Sequence, residues 1–215
     1  MKTLAVITGE RKLIRPFEIY DINEKLRVMV CRCLSSRRLS RKMKKADVCG
    51  YICDREINLP FKRYDGKGIF CLEIPALIKK LVKTKNIGTE SVAVISRGNE
   101  DALVPLFEDI ADMFREFYII SPDYDYAHSE AERLLNEYGI AAQTDEPHDI
   151  CDVEIFPGSS VCGLGRCVLN YKTEYAINHG YNLPVPADSR AFAEALLVNG
   201  IISEGELKEF AVYLT

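Results

Sequence analysis

No stretch of this 215-residue chain approaches the roughly 18 consecutive apolar residues of a membrane-spanning helix. Near the start, only Leu4 to Ile7 form an apolar run before polar residues return. That is too short for a signal-peptide core, and no small-residue cleavage site follows. Both absences point to a protein that stays in the cytoplasm and does not engage a membrane. Also missing are the G-x-G-x-x-G dinucleotide fingerprint, the G-x-S-x-G nucleophile elbow and the H-E-x-x-H zinc motif. The three histidines, His128, His148 and His179, show no metal spacing, and no cysteine pair has the C-x2-C knuckle. Internal repeats and low-complexity linkers are absent as well.

The chain is 47% hydrophobic, which excludes wholesale disorder. A chain of this length buries roughly 70% of its unfolded surface, so a core needs no disulfide or metal to hold it. Eight cysteines without an export signal read as free thiols of a reducing compartment. The net charge of −4 hides a strong asymmetry. Residues 1–98 carry 22 Lys/Arg against 10 Asp/Glu, whereas residues 99–154 carry 2 against 16. Two such surfaces can each be solvated, or can attract one another within the chain or between copies.

Periodicity is clearest over residues 90–160, where it predicts a parallel βαβαβ unit. Ser91-Val-Ala-Val-Ile-Ser96 is a run suited to a strand buried on both faces. Leu103, Leu106, Phe107, Ile110, Met113 and Phe114 then recur at helical spacing, with Pro105 tolerable in a first turn. Glu116–Ser121 is the second strand, and Ala127 to Tyr138 the second helix, with Gly139 where a C-terminal cap belongs. Further strands are expected at 140–143 and 153–156. In the first half, 4–8 and 27–33 read as strands, 35–45 as a basic helix, 75–83 as a helix, and 46–53 as strand or helix. An apolar helix follows Asp188, and Ser203-Glu-Gly-Glu206 matches a capping box opening a last helix to about Leu214. The expected fold is therefore α/β, a Rossmann-like, mostly parallel sheet flanked by helices, with a C-terminal helical pair. The expected segments are 1–88 (a subdomain or an extension of the same sheet), 89–187 (the core) and 188–215 (the helical pair).

Open parallel sheets bind ligands outside the carboxyl ends of their strands. Those ends read as loops at 96–99, 121–125, 144–147 and 157–160, each also explained by turn and cap chemistry. The first, beginning Arg97-Gly98, has one glycine and is followed by Glu100 and Asp101, which would repel a pyrophosphate at the next helix. Asp123 falls 25 residues after Gly98, roughly where a ribose-binding acid would stand. The better phosphate candidate is Gly158-Ser159-Ser160-Val-Cys-Gly163-Leu-Gly165-Arg166, which holds three glycines, two hydroxyls, one arginine and no acid. It lacks a Walker lysine.

Cys31-x-Cys33 and Cys49-x3-Cys53 together supply four thiols, enough for zinc or an iron–sulfur cluster, but core packing is the favoured account of them. Cys162 and Cys167 are candidate reactive thiols with no histidine nearby in sequence. Lys25 to Ala46 carries nine Lys/Arg and no acid, but no aromatic for base stacking, so nucleic acid is a poor partner. The leading reading is a small phosphate-bearing ligand, a nucleotide or dinucleotide, held by Gly158, Ser159, Ser160, Gly163, Gly165, Arg166, Asp123 and Arg97. A non-enzymatic protein that self-associates as a homo-oligomer through opposed charges is the alternative, and a cysteine-ligated metal protein the third. No catalytic residue and no metal ligand is assigned.

Overall fold

The structure, a computed structural model, describes residues 1–9, 16–32, 35–84, 86–97 and 103–214. The chain has a Rossmann-like α/β fold and divides into two compact units, one of residues 1–69 with 176–213, the other essentially 70–175. No helix among the described residues is long and apolar enough to cross a membrane.

In the first unit, β1 (Lys2–Ile7) lies between β3 (Leu26–Cys31) and β4 (Val48–Cys53), parallel to both. β2 (Phe17–Asp21) pairs antiparallel with β3, and β5 (Arg63–Tyr64) runs parallel to β4, giving the order β2-β3-β1-β4-β5. Helix α1 (Ser36–Lys45) carries the chain from β3 to β4 and buries Leu39 and Met43 against Ala5, Ile7, Met29 and Tyr51. The segment 46–53, ambiguous from its pattern, is a strand with a register shift opposite Thr3 and Leu4, where Cys49 is the residue skipped. Two C-terminal helices belong to this unit: α5 (Ser189–Val198), capped by Asp188, and α6 (Glu204–Glu209), opened by the Ser203/Glu206 capping box. The last helix stops at Glu209, well short of Leu214. Ala211–Leu214 is instead strand β12, which pairs with β11 (Tyr175–Asn178). A period-two pattern, with Val212 buried between exposed Ala211 and Tyr213, replaces the helical one there.

The second unit begins with α2 (Phe70–Lys83) and is built on five parallel strands in the order β10-β9-β6-β7-β8. These are β6 (Ser91–Ile95), β7 (Glu116–Ile120), the two-residue β8 (Ala142–Gln143), β9 (Cys151–Phe156) and β10 (Gly165–Asn170). Between them lie α3 (Val104–Ile110, continued by a 3-10 turn to Met113) and α4 (Tyr124–Tyr138), closed by Gly139 at φ 72°. Val92, Val94, Phe117, Ile119, Val153 and Ile155 are buried on one face and Ala93, Tyr118 and Glu154 on the other, as expected of strands with both faces covered. Sequence order advances from β6 outward through β7 to β8, then reverses to β9 on the other flank of β6. The β6/β9 border is therefore the topological switch point.

Candidate functional site

Two ends of the second unit's sheet hold the residues singled out by sequence, and they are about 20 Å apart along a six-residue strand. At the carboxyl ends stand Arg97, Asp123, Gly158, Ser159 and Ser160. At the amino ends stand Gly163, Gly165 and Arg166. The reason is the connection from β9 to β10. Because the two strands are parallel, with Cys151 beside Gly165 and Phe156 close beside Asn170, residues 157–164 must run back the full length of the strand. Eight residues span at most about 29 Å, so most of the segment's reach goes into the return and little slack is left to wrap a separate ligand. Most parallel crossovers are longer and helical.

The amide donors of the glycine-rich segment are also in use. Glu154, wholly buried on β9, accepts from the amides of Cys162 (2.7 Å), Leu164 (2.8 Å) and Gly165 (3.2 Å). Gly165 is required at that contact, since a Cβ there would lie 2.5 Å from the Glu154 Cβ. Gly163 supplies the positive φ of 82° that turns the chain into β10. Farther up, Asn170 Nδ2 donates to the Ser160 carbonyl (3.1 Å) and Tyr171 N to the Gly158 carbonyl (2.8 Å). An anion does sit in this nest of amides: it is the chain's own carboxylate. Sequence reasoning missed Glu154, although an acid in the middle of the apolar run Val153–Phe156 was the signal available.

Arg166 is the second residue of β10 and is largely exposed, 3.8 Å from Asp152. Asp152 also accepts the Glu90 amide at 2.8 Å. The two flank a hollow of about 330 Å³ shared with Asn86, Gly88 and Cys167. Burial pushes the Cys167 thiol up, and partial desolvation with the Glu154 carboxylate does the same for Cys162. Neither thiol is poised as a thiolate nucleophile.

At the switch point the geometry is different. The Arg97 guanidinium lies 5.2 Å from the centre of the Phe156 ring, a cation–π contact that holds an exposed arginine at the carboxyl ends of β6 and β9. Gly158 makes room for it, because a Cβ at that position would collide with the Arg97 guanidinium and come within 2.6 Å of the Phe156 ring. Next to Arg97, the Ser96 hydroxyl is 3.2 Å from that of Ser121 at the end of β7. Ser121 Oγ accepts the Asp123 amide (3.1 Å), and Asp123 Oδ1 accepts the Tyr126 amide (3.1 Å), capping α4. Asp123 is exposed, one strand beyond β6, so it stands about 10 Å from Gly158 across the sheet. Gly98, Glu100 and Asp101 lie outside the described residues.

In the first unit the cysteines are part of the core. Cys31 and Cys53 are buried on the face covered by α1. Cys49 donates to the Thr3 carbonyl at 3.1 Å, and burial pushes its thiol up. Cys33 lies outside the described residues. Among the described residues, no group of three or more His, Cys, Asp or Glu is placed to hold a metal ion. No protein-family model matches the chain, and no curated protein matches its sequence.

Proposed function

We propose that this protein binds a small phosphate-bearing or nucleotide ligand in the crevice at the carboxyl ends of β6, β7 and β9, with Arg97 as the anion contact. The observation that carries the reading is the placing of Arg97, laid on Phe156 and cleared by Gly158, at the border where strand order reverses. Crevices of that kind are where open α/β sheets take ligands. The exposed Ser159 hydroxyl offers a neutral hydrogen bond beside it, and Asp123 offers an acceptor for a sugar hydroxyl. Arg166 is not part of this site, since it stands at the other end of the strands beside Asp152.

Thermal unfolding against nucleotides, dinucleotides, S-adenosylmethionine and sugar phosphates, with and without Mg²⁺, tests the reading. A ligand at 100 times its Kd adds about 2.7 kcal/mol, which for a chain of this size is a rise of roughly 5–10 °C. The rise is expected to vanish in Arg97→Ala and to persist in Arg166→Ala. A flat panel, or loss of the rise in Arg166→Ala alone, overturns the assignment.

A further inference from the structure

Helix α1 is a ten-residue helix with six cations, Arg37, Arg38, Arg41, Lys42, Lys44 and Lys45, and no acid. Its two apolar residues, Leu39 and Met43, are buried, so every cation is turned outward and exposed. Arg38 and Lys42 rest on the ring of Phe17, at 5.7 and 5.8 Å. Among the described residues, none of the six has a carboxylate within salt-bridge distance. Six like charges on three turns repel one another, and a surface of opposite sign relieves that repulsion.

The chain itself carries such a surface. Between α4 and the edge strand β8 runs a groove of about 370 Å³ lined by Tyr124, His128, Glu132, Leu135, Gln143 and Asp145. The Tyr124 and His128 rings stack in parallel (5.9 Å, 8°), and Tyr124 and Leu135 are 61% and 54% exposed, an unusual amount of apolar surface for one helix flank. Asp145 lines the groove, its chain neighbour Glu146 and Asp125 next to Tyr124 are exposed, and none of the three is in a salt bridge among the described residues. Aromatic faces with acids around them are a good seat for arginine and lysine side chains, which bring an apolar stem and a charged tip together.

We propose that copies of this protein associate by seating the basic face of α1 from one copy in the acidic α4/β8 groove of another. The partner is argued from charge: residues 1–98 carry an excess of 12 positive charges and residues 99–154 an excess of 14 negative ones, a near match within one sequence. A nucleic acid drawn to α1 would be opposed by the net charge of −4.

Sedimentation velocity of the full chain tests this independently of ligand binding. The Debye length falls from about 10 Å at 0.1 M salt to about 3 Å at 1 M, so the protein is expected to associate in the first and to be monomeric in the second. Arg37→Glu/Arg41→Glu and Glu132→Lys/Asp145→Lys are each expected to raise the dissociation constant about tenfold or more. Mixing the two variants restores one fully complementary contact and is expected to restore association, which misfolded variants could not do. A monomer at both salt concentrations, a mixture that fails to reassociate, or nucleic acid that co-purifies through α1 with a monomeric protein would each overturn the proposal.

Discussion

A carboxylate taken fully out of water persists only where donors replace the lost hydration. Glu154 has three such donors, the amides of Cys162 and Leu164 in the segment that carries the chain back from β9 and that of Gly165 at the start of β10. The side chain thus fastens a crossover that has no helix of its own to pack. Glu154→Gln keeps the shape but turns one acceptor oxygen into an NH₂ that faces a backbone N–H. The expected loss is about 1–3 kcal/mol, read as a lower urea midpoint with an unchanged slope, together with faster hydrogen exchange at Cys162 and Leu164. A variant as stable as the parent would show that the three amides find water instead. The same residue shows why a glycine-rich motif is ambiguous in sequence. Glycines that let amides converge on a phosphate let them converge equally well on a side chain twelve or fewer positions away.

Among the elements, those held by local pattern were the legible ones. The run 91–96 and the helix ending at Gly139 announce themselves through burial on both faces and through a cap that needs positive φ. The capping box at Ser203 was equally plain, with both of its hydrogen bonds formed at 3.2 and 2.7 Å. A six-residue helix has little else to hold its first turn. Ser203→Ala should therefore cost about 0.5–2 kcal/mol in thermal or urea unfolding, and no change would mean that packing of Leu207 alone fixes α6. Elements set by distant partners were not legible. β10 begins with glycine and arginine and owes its existence to pairing with β9; β12 looks like the tail of α6 until β11 is placed beside it. That is also why three of the eight candidate site residues could not be placed from sequence. Knowing that Arg97 follows a strand was a local matter, whereas knowing that Arg166 starts one required the sheet.

At the scale of the whole molecule, two units built on separate sheets answer to different perturbations. The proposed ligand acts on the second unit, where the β6/β9 border lies. Mild acid acts on the first through His179, which packs 4.7 Å from the Phe192 ring and accepts the Tyr181 amide on Nδ1 at 3.1 Å. Burial holds its pKa below the ordinary 6.5, because the protonated ring would be charged away from water. Above 6.5 the imidazole is neutral in both the folded and the unfolded chain, and the stability of this packing is fully present. As the pH falls through 6.5 the unfolded chain takes up the proton first, so stability drops, and it goes on dropping until the pH passes below the folded value. The unfolding midpoint is expected to fall between pH 7.5 and 5.5 by more in the parent than in His179→Gln, which cannot titrate. Equal slopes in the two proteins would mean that water reaches the ring and that His179 titrates alike in both states.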